Sequence, residues 1–180
     1  ANPGLFRISD GRLNDALLGR PEAKLFFYDL CEDPDGGVWG LTNAGLVRVK
    51  DGKVATVDHR HGLASDICYS LVPDKRGDFW IDSPEGILRV SRREMAAAAD
   101  GTLARIDCAV FNGSHVAKEL EKFNGEYSGC LSRDGHVWFA GAQGVIEIDP
   151  ECLRVNSVAP LTTLQRVLVD GRALPADVAQ

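Results

Sequence analysis

All three tryptophans of this chain, Trp39, Trp80 and Trp138, stand in the same local pattern. An acidic, Gly-containing turn leads into each one, and a Gly-apolar pair follows it. The segments read DPDGGVWGLTNAGLVRV from Asp33, DKRGDFWIDSPEGILRV from Asp74 and RDGHVWFAGAQGVIEID from Arg133. The tryptophans lie 41 and 58 residues apart, so each unit is one small sheet long. Self-similarity at a period of roughly 40–50 residues marks propellers and solenoids, where a unit cannot bury its apolar face alone and must stack on its neighbours.

Each unit reads as four short strands. A first apolar run covers Leu25 to Cys31, Cys68 to Val72 or Tyr127 to Leu131. A polar turn then leads into the Trp strand, at Val38 to Thr42, Phe79 to Ser83 or Val137 to Ala140. A second turn carries Gly45, Gly86 or Gly144, where a tight reversal favours positive φ. The third run alternates strictly, as in Leu46, Val47, Arg48, Val49, with the period-two patterning of a strand. A weaker fourth strand is expected near Val54 to Val57, Leu103 to Ile106 and Arg154 to Val158. Four antiparallel strands per unit make a propeller blade.

The fold expected is therefore all-β: a partial propeller of about three and a half blades. Gly4-Leu5-Phe6-Arg7-Ile8 repeats the Gly45-Leu46-Val47-Arg48-Val49 pattern, which places a half blade at residues 4–24 before blades at 25–64, 65–109 and 124–159. The long second interval holds two insertions, a helix former over Arg92 to Ala99 and a helical turn or loop over His115 to Phe123. Residues 160–180 read as the first strand of a following β domain, with a hairpin turn at Asp170-Gly171.

Composition narrows the function classes. A net charge of −6, with no basic stripe, argues against a nucleic-acid partner. No apolar run approaches the ~18 residues that cross a bilayer, and no signal peptide is visible. The five cysteines, Cys31, Cys68, Cys108, Cys130 and Cys152, contain no CxxC pair, so neither zinc nor redox dithiol spacing is present. Cys31 and Cys130 share their repeat position with Val72, which reads as a small buried apolar slot.

The pattern acidic-Gly-x-x-Trp-x-x-Thr-x-x-Gly-Leu-x-Arg resembles the two-component regulator propeller repeat. Thr42 and Gly45-Leu46-x-Arg48 match it in the first unit, and His61-Gly62-Leu63 falls where that family places its inter-blade Gly-Leu step. The third unit is similar to a final blade of such sensors, and the tail after Pro160 to the start of the immunoglobulin-like module that follows them. The resemblance implies a slice of the extracytoplasmic, periplasmic sensor region of a bacterial inner-membrane receptor. There, a transmembrane helix leads on to a kinase or cyclase output.

The residues themselves offer little catalytic chemistry, and no enzyme activity, cofactor or metal is expected. His59 and His61 form a His-x-His pair in a polar linker without an evident third ligand. His136 follows a turn in the same way, and His115 opens an insertion. Ser65 and Asp66 near His61 lack a nucleophile-elbow context and read as turn caps. The acidic turns lack the dense alternating carboxylates of a calcium loop. Trp39, Trp80 and Trp138, with Gly45, Gly86 and Gly144, are expected to pack blades and not to bind ligand, because a structural slot recurs from unit to unit.

Asp82 is the one candidate ligand-binding residue. It holds the position of Leu41 and Ala140, so alternation puts a carboxylate on the Trp face. It either meets a ligand or helps the turn before Pro84. The function expected is ligand sensing by a non-catalytic propeller, with an unknown small molecule as partner. The alternatives are a propeller enzyme (lyase or quinone-dependent dehydrogenase) and a scaffold for protein contacts. Because ~4–8 blades close a ring, a homo-oligomer is expected, a dimer completing a seven-blade count, or else packing against the rest of a receptor. The alternative is an open fan.

Overall fold

The computed structural model describes residues 5–15, 17, 20–112, 129–141, 144–153, 168–169 and 172–173. The chain folds as a partial β-propeller of antiparallel sheets. A hairpin of β1 (Phe6–Ser9) and β2 (Arg12–Asp15) comes first. The first complete sheet is a meander of β3 (Phe27–Glu32), β4 (Val38–Thr42), β5 (Gly45–Lys50) and β6 (Lys53–Val57). The second repeats it with β7 (Ser70–Pro73), β8 (Asp78–Ser83), β9 (Gly86–Ser91) and β10 (Cys108–Phe111). A third sheet holds β11 (Gly129–Leu131), β12 (Val137–Gly141) and β13 (Gly144–Ile148). Leu168 and Val169 pair with Ala173 and Arg172 across residues 170–171. The Gly4 end, the His115 to Phe123 insertion and the fourth strand anticipated at Arg154 to Val158 lie outside the described residues.

One strand falls elsewhere than its alternation suggests. The fourth strand of the second sheet is Cys108–Phe111, not Leu103 to Ile106. Helix α1 (Arg92–Ala99) intervenes as its RREMAAAA composition predicts. Its open carbonyl at Ala97 captures the amides of Thr102 and Leu103. The Ile106 amide then bonds His61 O at 2.7 Å, tying the insertion to the linker after the first sheet. Only from Cys108 is the chain free to pair with Val90.

The sheets stack like blades, with first strand beside first strand: β3 lies by β7, and β7 by β11. The first seam buries Trp39 and Leu41 against Phe79, Ile81 and Leu88. Trp39 meets Phe79 edge-on, with ring centroids 6.0 Å apart. The second seam buries Val72, Trp80 and Ile87 against Val137 and Phe139. Gly129 permits that approach, since a Cβ there would lie 2.6 Å from Val72 Cγ2 and 2.7 Å from the Phe139 ring. The face of β3 that turns away from the second sheet is different. Leu30 is 51% exposed, whereas Leu71 at the same repeat position is 6% exposed.

Candidate functional site

The repeated residues form a repeated polar clamp. In the first sheet the Trp39 indole Nε1–H donates to Asp33 Oδ2 at 2.9 Å, and in the second Trp80 donates to Asp74 Oδ2 at 2.9 Å. The acidic residue that opens each turn therefore satisfies the one polar atom of a buried tryptophan. Register then places Arg48 across from Trp39 and Arg89 across from Trp80. Their guanidinium carbons sit 5.5 and 5.6 Å from the ring centroids, in cation–π geometry.

Carboxylates anchor both arginines. Arg48 Nη2 is 3.2 Å from Asp33 Oδ2, and Nη1 is 3.1 Å from Asp100 Oδ1. Arg48 also binds Asp35, which Lys50 reaches at 2.6 Å. The Lys50 ammonium, and after it Arg48, hold the Asp35 carboxyl well below the usual carboxylate range. Arg89 binds Asp78 through Nη2 at 2.5 Å and Nε at 2.7 Å.

The third sheet departs from this scheme. Ser132 replaces the acidic acceptor, and Trp138 donates to its Oγ at 3.3 Å. Glu147 stands across from Trp138 where the others have Arg, and its Oε1 lies 2.6 Å from His136 Nδ1. The Glu147 contact raises the His136 pKa above its ordinary value. His136 is thus half of a cross-strand pair, where the sequence suggests only a solvated turn.

Gly45 and Gly86 hold one conformation, with φ of +96° and +117°. A Cβ on Gly45 would lie 2.4 Å from Val57 O, and on Gly86 2.5 Å from Phe111 O. Both glycines let the second turn fold under the end of the fourth strand. Gly144 differs: a Cβ there would meet no described atom within 4 Å.

Asp82 is the carboxylate that this repeated scheme leaves over. It lies in β8 opposite Ser70 of β7 and Ile87 of β9. Asp82 is 2% exposed and Ser70 1% exposed. Asp82 Oδ1 and Ser70 Oγ are both without a hydrogen-bond partner among the described residues. Burial pushes the Asp82 carboxyl up to about 7. Ser70 is not conspicuous in the sequence. The signal that finds it is alignment of Tyr69-Ser70-Leu71-Val72 with Tyr28-Asp29-Leu30-Cys31, because register sets Ser70 against Asp82 just as Asp29 faces Leu41.

The remaining sequence candidates are engaged locally. His59 Nδ1 lies 2.5 Å from Asp66 Oδ2. His61 Nδ1 lies 3.1 Å from Asp58 Oδ1, within a capped single turn over His59–His61. Burial opposes ionisation of Asp58, yet the Arg60 guanidinium and amide bring its carboxyl down to about 2. Ser65 Oγ donates to Ile67 O at 3.2 Å and accepts from the Ile67 amide at 3.3 Å, which closes a turn. Among the described residues no group of three or more His, Cys, Asp or Glu is placed to hold a metal ion. His115 lies outside the described residues.

Cys31, Val72 and Cys130 share one register position but not one degree of burial. Each faces its tryptophan across the first strand pair. Val72 is buried, Cys31 is half-buried and Cys130 is exposed. Cys130 departs from the buried slot expected because no described sheet stacks on the Trp138 face. Burial, then the nearby Asp29, push the Cys31 thiol up to about 11.

No protein-family model matches this chain, and no curated protein matches it. Solved structures do. A catalytically inactive virginiamycin B lyase from Staphylococcus aureus, solved with quinupristin, superposes with a TM-score of 0.52 at 14% identity. That match covers 79% of this chain and 47% of the lyase. The extracellular domain assigned to the hybrid two-component system BT3049 of B. thetaiotaomicron gives a TM-score of 0.51 at 17% identity, over 91% of this chain and 22% of that domain. This chain therefore spans about half of the lyase and about a fifth of the sensor domain. Both likenesses report the propeller fold. Among the described residues no helix is long and apolar enough to cross a membrane.

Proposed function

We propose that this chain is a sensory, non-catalytic propeller segment of a bacterial membrane-bound signal-transduction receptor, on the extracytoplasmic side, whose ligand biases a downstream kinase or cyclase. One observation carries this reading. The residues that recur from sheet to sheet are consumed in packing, whereas Asp82, whose buried Oδ1 has no partner among the described residues, stands where the other units have Leu41 and Ala140. The unpartnered Arg48 Nε belongs to a guanidinium that three carboxylates already hold. A fold repeats what it needs for stability, and a binding function resides in what differs. The sequence resemblance to two-component regulator propeller repeats supports the receptor context. So does the fold shared with the BT3049 domain over 91% of this chain.

Ligand binding would act by favouring one arrangement of receptor subunits over another. The direct test is a thermal-shift screen of sugars, amino acids and metal ions on wild type and on Asp82→Asn. A ligand that raises the melting temperature of wild type, less so of the variant, supports the reading. A screen in which nothing shifts wild type argues for a scaffold. The enzymatic reading draws on the fold shared with the lyase. It predicts conversion of quinupristin, read by mass spectrometry, and unchanged quinupristin sets it aside.

Self-association belongs to the same proposal. Leu30 is 51% exposed on the face of the first sheet that turns away from the second, in an open cleft shared with Phe6 of β1. Trp138 is less buried than Trp39 and Trp80 on the outer face of the third. These are the two kinds of face that meet at each internal seam, so head-to-tail stacking of a second copy, or of further receptor blades, would cover both.

A further inference from the structure

We infer that Asp82 and Ser70 form a subsite for an organic cation bearing N–H donors, a protonated amine or guanidinium group of a small ligand. This inference rests on the sensory reading above and gives that site its ligand chemistry.

Four observations lead there. First, Asp82 and Ser70 are partners across adjacent strands, and neither Asp82 Oδ1 nor Ser70 Oγ has a described partner, although both residues are almost fully buried. Second, folding does not require polarity at the Asp82 position, since its equivalents are Leu41 and Ala140 in the same repeat register, whereas the Ser70 position is polar in each unit (Asp29 and Ser128). Buried polar atoms are rarely left unpaired, and a carboxylate least of all.

Third, no cationic side chain among the described residues forms an ion pair with Asp82. The apolar side chains of this seam are Val72, Trp80, Ile87, Val137 and Phe139, with Phe111, Leu131, Ile146, Ile148 and Leu153 at its margin. The charged residues along the second sheet are engaged or of the same sign: Asp74 accepts from Trp80, Arg89 binds Asp78, and Glu85 is a second carboxylate in the turn after Asp82. His136, Glu147 and Asp149 of the third sheet engage one another. A neutral hydroxyl could bond the carboxylate but would leave its charge unneutralised, whereas an ammonium or guanidinium does both. A bare metal ion is the poorer fit, because calcium takes 6–8 oxygen ligands and this notch offers two side chains.

Fourth, the pair is close to solvent along the strand direction. Asp82 precedes Ser83 and the exposed Pro84-Glu85 turn, and Ser70 opens β7 two residues after Cys68 and three after Ile67, which is 37% exposed. Ser83 and Cys68, which flank the pair, are buried, so a cationic group would enter by a local opening at these strand ends. The chain's net charge of −6 favours a cationic partner at longer range.

The experiment is calorimetric titration of the whole chain with putrescine, agmatine and L-arginine, with sodium chloride, glycerol and galactose as controls. Carboxyl-selective 13C NMR of Asp82 runs alongside. We expect one or more of the amine or guanidine probes to bind, Asp82→Asn to weaken that binding at least about tenfold through loss of a charge-assisted contact, and Ser70→Ala to weaken it less. The Asp82 carboxyl should report the neutral form at pH 6 without probe and the ionised form when saturated. Asp82→Asn replaces the carboxyl by an amide of equal size, and its thermal unfolding checks that it folds. Binding of these cations that is indifferent to Asp82→Asn, or an Asp82 carboxyl that stays neutral at saturation, overturns the inference. Binding of galactose or glycerol instead overturns the cation class while leaving the sensory reading intact. Absence of binding by every probe, with a hit elsewhere in the wider thermal-shift screen, likewise removes the inference alone.

Discussion

His136 and Glu147 reverse the charges of Asp78 and Arg89: in the third sheet an imidazole Nδ1 lies 2.6 Å from a carboxylate at the positions where the second sheet sets a carboxylate against a guanidinium. The two sheets share this geometry, but the third pair can be switched off by pH. Because Glu147 raises the His136 pKa, the pair's stabilisation is fully present below the unfolded-state value near ~6.5 and fades as pH rises through the folded value. An NMR titration should place the His136 midpoint above that of a model imidazole, and Glu147→Gln should lower it. A midpoint that ignores Glu147→Gln would contradict the pairing.

Asp33 and Asp74 should be worth more than Ser132. Removing Asp33 orphans the buried Trp39 N–H and takes a carboxylate from buried Arg48. Leaving such a donor unpaired costs ~1–3 kcal/mol. Urea unfolding should therefore show Asp33→Ala and Asp74→Ala losing at least that much. Ser132→Ala should lose less, since its bond to Trp138 is 3.3 Å and only part-buried. Equal losses at all three sites would show that the clamp is not what the acidic residues contribute.

Truncating the tryptophans should follow the same gradient. Trp80 is completely buried, so Trp80→Ala should cost ~3–5 kcal/mol. Trp138→Ala should cost clearly less, as its face lacks a described neighbour. Denaturation midpoints of the two variants at a common m-value decide the matter.

Asp82 predicts an unusual pH dependence. Its folded pKa is raised to about 7, above the unfolded value near ~3.9, so the folded state prefers the protonated acid. Stability is greatest below the unfolded pKa, falls as pH rises toward 7 with a slope of up to ~1.4 kcal/mol per unit, and is flat above. Asp82→Asn should abolish that decline and be the more stable protein at pH 8. A wild-type curve parallel to that of the variant from pH 4 to 8 would disprove the burial effect.

The outer faces predict association. Multi-angle light scattering should find the chain larger than a monomer, and Leu30→Lys, which places a charge at a residue 51% exposed on β3, should shift it toward monomer. A monomeric wild type at micromolar concentration would leave the chain an open fan.

Much of this architecture is legible in the chain because its signals are local. The β4 bounds at Val38 and Thr42 and the α1 bounds at Arg92 and Ala99 coincide with those expected from alternation and helix propensity. The fourth strand of the second sheet lies beyond its expected place because the amides of Thr102, Leu103 and Ile106 are claimed by Ala97 and His61, contacts that no strand pattern reveals. Asp82 stands out because it breaks a repeat. Ser70 does not, since a serine near a strand end is unremarkable until register sets it against a carboxylate.

The sequence by itself determined the repeating blade, the residue class at each recurrent position and the place where repetition fails. Period-two alternation and Gly turns encode these within a few residues of chain. Only the tertiary structure decided that Asp33 and Asp74 satisfy the buried indoles, that Glu147 meets His136, and that Asp82 and Ser70 lie buried together with Oδ1 and Oγ unpartnered among the described residues. Burial and pairing depend on what the neighbouring strand and the next sheet bring to the seam, and that information is spread over residues far apart in the chain.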